Sequence, residues 1–155
     1  MQKSIVFDNR LVSHCDKEKP SAPVFVDTGA WIALALTADP HHARARESWS
    51  ELSSHGTRLF TSVPVVLETF TFLDRNATRQ VALAWSQTLS EVKFLKTLDC
   101  TTKDVAKAWT YFARRDFHKL SAVDATSFVL MTREKIRAAF TFDHHFATAG
   151  FQIIG

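Results

Sequence analysis

The strongest constraint in this chain is an alternation. Short apolar β-prone runs end on a polar residue and are followed at once by helix-like stretches. Val24-Phe25-Val26 stops at Asp27-Thr28-Gly29, and Ala30-Trp31-Ile32-Ala33-Leu34 continues with helical character. Leu59-Phe60-Thr61 precedes Pro64, a residue suited to a helix N-terminus, and VVLETFTFL follows. Val92 to Leu98 alternates apolar and polar residues as a strand does, and Thr101-Thr102-Lys103-Asp104 has the spacing of a capping box. Ser121-Ala122-Val123-Asp124 repeats that spacing ahead of an apolar helix. Ala138 to Phe142 and Phe151 to Ile154 are the remaining strand candidates. Further helices are expected from Pro40 through HHARARESWSELSS, and over TRQVALAWSQTLS, where Val81, Ala84, Trp85 and Leu89 share a face. Strands separated by helix-length crossovers predict an α/β fold: three layers, α/β/α, around a central, mostly parallel sheet.

The composition agrees with this reading. The chain has 155 residues, 46% of them apolar and 23% charged, enough to bury a core without staples. No internal repeat is visible. Residues 1 to 22, with the polar segment DKEKPSAP, read as an extension or linker, in which Ser4 to Phe7 has the makings of an edge strand. Residues 23 to 155 read as one domain. The N-terminus lacks the apolar core of a secretory signal, and no apolar run reaches membrane-spanning length. Cys15 and Cys100 fit neither a disulfide framework nor a zinc site, so a reducing, cytoplasmic setting is expected. The formal charge of +3 is mildly basic, a weak pointer to nucleic acid.

Four of the 16 carboxylates sit in apolar company. Asp27 closes the first strand, and the carboxyl ends of parallel strands are where such sheets bind ligands. Glu68 lies among Val63, Pro64, Val65, Val66, Leu67, Phe70 and Phe72, where an unpaired carboxylate is costly. Asp124 stands in the first turn of the apolar helix SAVDATSFVLM, and Asp143 follows the run Ala138 to Phe142. Each has a structural reading when taken singly: a helix cap or turn for Asp27, Asp124 and Asp143, and a solvent-reaching side chain for Glu68. Taken together, their positions converge on one edge of a parallel sheet. Four carboxylates there repel one another unless a cation sits among them. Mg²⁺ or Mn²⁺ prefers such oxygen ligands, polarises a phosphodiester and activates water. With these four acids so engaged, the rest of the chain is more strongly basic, which favours a nucleic-acid partner.

At these residues the chain resembles the PIN-domain family, and within it the VapC-like toxins of toxin–antitoxin pairs. VFVDTGAWIAL, VVLETF, SAVDATSFVL and TFDHHF followed by FQII match the family pattern in order and spacing, over roughly residues 24 to 155. The resemblance implies a metal-dependent endoribonuclease with an α/β/α fold. Its four motif acids map to Asp27, Glu68, Asp124 and Asp143. Asp27, Asp124 and Asp143 would hold Mg²⁺ or Mn²⁺, while Glu68 either joins them or orients and deprotonates the attacking water. The products would carry a 5′-phosphate and a 3′-hydroxyl. Thr28 and Thr141 occupy places where members often carry a hydroxyl near the site. The implied partners are RNA, a cognate antitoxin and a second copy of the chain, with no membrane.

Arg114, Arg115 and Lys119, just before the third motif, are candidate phosphate contacts, with Phe117 as a base-stacking ring. The competing reading of this run is a solvated helix end. His144 and His145 read as structural or surface groups, because a hard, oxygen-loving cation does not select imidazole. Trp31, Trp49, Trp85 and Trp109 read as core or interface. A haloacid-dehalogenase-type phosphatase wants a second Asp two residues after Asp27, where Gly29 stands. A receiver domain wants an adjacent acidic pair that is not present. A PIN nuclease acting in RNA processing or on DNA, and a non-catalytic PIN-fold scaffold, remain as alternatives. The presence of all four acids weighs against the scaffold.

Overall fold

The computed structural model describes residues 21–155. The strand considered at Ser4 to Phe7, most of the N-terminal extension and Cys15 lie outside the described residues. The chain alternates as expected: β1 (Val24–Val26), α1 (Thr28–Ala35), α2 (His42–Ser54), β2 (Leu59–Ser62), α3 (Val63–Asn76), α4 (Arg79–Leu89), β3 (Leu95–Leu98), α5 (Thr102–Phe112), α6 (Ala122–Arg133), β4 (Ala138–Phe140), α7 (His145–Thr148) and β5 (Gln152–Ile154).

All strand pairs are parallel, in the order β3-β2-β1-β4-β5. Every residue of β1 and β4 is buried, so both faces of the sheet centre are covered by helices, the three-layer α/β/α arrangement. The strand order reverses at β1, with β2 on one side and β4 on the other. That makes the β1/β4 boundary the switch point, where the following loops diverge and open a crevice. The register pairs Val26 with Phe140. One residue further, Asp27 and Thr141 leave the sheet side by side. The two edge strands are guarded differently. β3 exposes Lys96 and Thr97, and β5 is only three residues long.

Helix starts follow local chemistry. Ser62, Thr78, Thr101 and Ser121 each accept a backbone N–H of the first turn. The Thr101–Asp104 box is complete, and Asp104 also receives Arg133 at 2.5 Å. The box expected at Ser121–Asp124 is only half made. Ser121 Oγ accepts the Asp124 N–H at 3.0 Å, and the Asp124 carboxylate takes no part in a reciprocal cap. The helix expected from Pro40 starts at His42, and the strand expected from Val92 shortens to Leu95–Leu98. On α4 the buried pair is Ala82 and Trp85, with Val81 and Leu89 only partly covered. Trp31 and Trp85 are fully buried and meet edge to face at 6.0 Å, whereas Trp109 is exposed.

Candidate active site

The four acids singled out in the sequence meet at the switch point. Asp27 leaves β1, Asp143 follows β4, Glu68 stands on α3 and Asp124 opens α6. Together with Thr28, Ser121, Ile32, Phe72 and Phe142 they line one open cavity of about 460 Å³. Asp27 has the backbone of a helix N-cap, yet its side chain caps nothing. Its Oδ2 accepts the Thr141 hydroxyl at 3.0 Å. Thr141 Oγ1 also accepts the Asp143 N–H at 3.0 Å, so one hydroxyl fixes both strand-end acids. Thr28 donates to Glu68 Oε2 at 2.6 Å and ties α1 to α3. Behind the site, Trp31 Nε1 donates to Thr61, and Thr61 donates to the Val26 carbonyl. The backbone leading into Asp27 is held from within the core.

The electrostatics are those of crowded carboxylates. Asp27 is 3% exposed, and its Oδ1 is buried with no hydrogen-bond partner among the described residues. Burial first, then the charge of Asp124, drives its pKa up to about 7; the Thr28 N–H and the Thr141 hydroxyl oppose this, and Glu68 adds to it. Asp124 is pushed up to about 6, again mainly by burial and then by the charges of Asp143 and Glu68, against the Ser121 hydroxyl and His145. The buried, unpartnered oxygen and the all-oxygen donor set of Asp27, Asp124 and Asp143 fit a hard divalent cation, which removes both the desolvation and the repulsion.

The fourth motif carries more order than its sequence suggested. Asp143 Oδ1 accepts the His145 N–H at 2.8 Å. The buried His145 ring lies 2.9 Å from the same oxygen through Nδ1, as an ion contact, and meets the His118 carbonyl through Nε2 at 2.9 Å. Burial disfavours its imidazolium, but Asp143, the His118 carbonyl and Asp124 outweigh burial and raise its pKa. This ring anchors the segment between α5 and α6 to the site.

That segment holds the basic candidates, and none of them lines the cavity. Arg114 is engaged with Asp116 at 2.5 Å and stacks over Phe117, 4.6 Å from the ring centre. Phe117 is buried against Tyr111 and Phe128, so it is core and not the base-stacking ring the sequence allowed. Arg115 and Lys119 are exposed. Sequence reasoning missed Ser121, Ile32, Phe72 and Phe142 as lining residues. Only Ser121 left a signal, as the cap three residues before Asp124.

The chain matches the PIN domain over residues 24–152. It belongs to the PIN domain family. Among proteins with an assigned role, the 23S rRNA-specific endonuclease VapC20 of Mycobacterium tuberculosis is 34% identical over 129 residues, which are 83% of this chain and 95% of that protein. The crystal structure of VapC20, described as a sarcin–ricin-loop-cleaving toxin, superposes with a TM-score of 0.74 at 32% identity, over 83% of this chain and 95% of that one. DNA-bound VapBC from Salmonella typhimurium gives a TM-score of 0.61 at 16% identity, over 86% of this chain and 97% of that one, and shares the fold. No helix among the described residues is long and apolar enough to cross a membrane.

Proposed function

We propose that this PIN-domain chain is a metal-dependent endoribonuclease, the toxin of a toxin–antitoxin pair, working in the cytoplasm. The observation that carries the reading is the convergence of Asp27, Glu68, Asp124 and Asp143 in one cavity, with Asp27 Oδ1 buried and unpartnered. Asp27, Asp124 and Asp143 would hold Mg²⁺ or Mn²⁺. Such a cation supplies charge that polarises the phosphodiester and lowers the pKa of water. Thr28 holds the Glu68 carboxylate in one orientation, which suits it to orient the attacking water and accept its proton. Thr141 keeps Asp27 and Asp143 in register with each other. Attack of water in line at phosphorus leaves a 5′-phosphate and a 3′-hydroxyl.

Arg115 and Lys119 would meet RNA phosphates beyond the cavity. Arg114 is committed to Asp116 and contributes less. Because VapC20 is a 23S rRNA-specific endonuclease, ribosomal RNA is the first substrate to offer. A cognate antitoxin and a second copy of the chain are the protein partners. Leu67 and Phe72 of α3, both exposed, line an open groove beside the cavity that offers area for such contacts.

The test is cleavage of ribosomal and mixed-sequence RNA in Mg²⁺, in Mn²⁺ and in EDTA by the native chain and by Asp27→Asn and Asp124→Asn. Cleavage is expected only with metal and to fall at least about 100-fold in both variants. Undiminished cleavage by the variants overturns the assignment.

A further inference from the structure

The wall of the acidic cavity is partly apolar. Ile32, Phe72 and Phe142 line it beside the four carboxylates, and no lysine or arginine does. A hydrated cation makes no use of aromatic surface, which leaves these side chains open to another part of the substrate. Phe142 stands between Thr141 and Asp143 in the chain. The His41 ring lies flat on it, with centroids 4.4 Å apart and planes 7° from parallel. The Arg44 guanidinium lies 5.7 Å from the Phe142 ring centre and donates to the Gly155 carbonyl.

The two neighbouring histidines divide in role. His42 Nδ1 stands 2.7 Å from the Ala33 carbonyl and fastens α2 to α1. His41 is exposed. Its backbone N–H donates to Asp39 Oδ1 at 2.8 Å, but its side chain does not cap α2 and its ring touches no other ring among the described residues. One face of the imidazole rests on Phe142, and the other can take a second flat ring. Because Phe142 already holds the platform, a ring arriving there loses little freedom in ordering it. Unpaired bases of single-stranded RNA are bound in this way, each stacked on an aromatic face while cations meet the flanking phosphates. Arg44 has no carboxylate partner among the described residues and keeps its charge at the edge of the stack. That charge offsets the repulsion between the four acids and an incoming phosphate.

We propose that His41, stacked on Phe142, and Arg44 form a nucleotide subsite at the rim of the acidic cavity. It takes one unpaired base of single-stranded RNA on the open face of His41, with Arg44 at a neighbouring phosphate. The inference rests on the ribonuclease reading and adds a place where the substrate is gripped next to the bond that is cut. What the subsite selects is a flat π-face and not imidazole chemistry, so another flat ring at position 41 serves as well.

The probe is a mixed-sequence single-stranded RNA oligomer carrying a fluorescent adenine analogue, titrated in EDTA with the full chain. Stacking quenches the analogue, and saturable quenching is expected. His41→Ala, at an exposed position, is expected to weaken binding at least about fivefold and to abolish the quenching, the low end of what a lost base–aromatic stack costs. His41→Gln is expected to behave as His41→Ala, and His41→Trp to restore both signals. Arg44→Ala is expected to weaken binding and to reduce the salt dependence by about one phosphate contact. With metal present, His41→Ala is expected to raise KM for RNA cleavage with kcat unchanged. Quenching that is absent with the native chain, or that survives in His41→Ala, overturns the proposal. So does a His41→Ala chain that melts at lower temperature but binds RNA as the native does, since the stack then only shields Phe142. A chain that shows the His41-dependent quenching but cuts no RNA with metal refutes the ribonuclease reading alone, and metal-dependent cutting with binding indifferent to His41 refutes the subsite alone.

Discussion

Asp27 is the residue on which most of the site turns, and its burial has a consequence for stability. Its folded pKa of about 7 lies above the 3.8 of an ordinary Asp. Between those values the folded chain binds more protons than the unfolded chain, so folding stability falls as pH rises through the window. The metal-free protein is therefore expected to melt at lower temperature at pH 8 than at pH 5. Asp27→Asn, which cannot ionise, is expected to raise the melting temperature at pH 8 by roughly 3–8 °C and to flatten the pH dependence. Thermal melts of both proteins across pH 4–8 measure this, and a native stability that rises with pH contradicts the buried-acid assignment. Thr141 provides a second residue-level test. Its hydroxyl reaches Asp27 Oδ2 and the Asp143 N–H, so Thr141→Val removes both supports while nearly preserving volume. The expected result is a 10- to 100-fold loss of Mn²⁺ affinity by calorimetry, the usual cost of losing an outer-shell partner.

At the level of elements, the two cap sequences behave differently for a physical reason. Thr101 and Asp104 close a full box because Asp104 faces its own cap and Arg133. Thr101→Ala is expected to cost about 1 kcal/mol in urea denaturation, with RNA cleavage unchanged. The same motif at Ser121 leaves the Asp124 carboxylate out of the cap and in the cavity. Spacing alone made the two look alike, because the choice belongs to what faces the carboxylate in space: a guanidinium for Asp104, three other acids for Asp124. Elements were otherwise legible where a start signal met an apolar pattern: Pro64 at the start of α3, and the cap sequences ahead of the amphipathic α5 and of the continuously apolar α6. They were less so at the edge strand β3, where exposed positions remove the hydrophobic signal, and at α7, which is four residues long and too short to show a period.

Across the whole molecule, a cluster of aromatic rings within the core ties the C-terminal helices together. Phe128 on α6 meets Phe146 edge to face at 5.0 Å, Tyr111 at 5.2 Å and Phe117 at 5.7 Å. It thereby holds α5, the loop before α6, and α7 against one another. Phe128→Ala is expected to lower unfolding free energy by about 3–5 kcal/mol, measured by urea denaturation. The sequence by itself determined the α/β alternation, the parallel sheet and the identity of the four acids, because local periodicity, capping and an uncompensated charge in apolar company are properties of neighbours along the chain. Tertiary structure alone decided how those acids are held and what surrounds them: the pairing of Asp27 with Thr141 across 114 residues, of Thr28 with Glu68 across 40, the withdrawal of Phe117 into the core and the crowding of His144 and His145 on Asp143. Those contacts arise where the β1/β4 register and the packing of α1 on α3 bring distant residues together, and side-chain burial and direction are fixed only there.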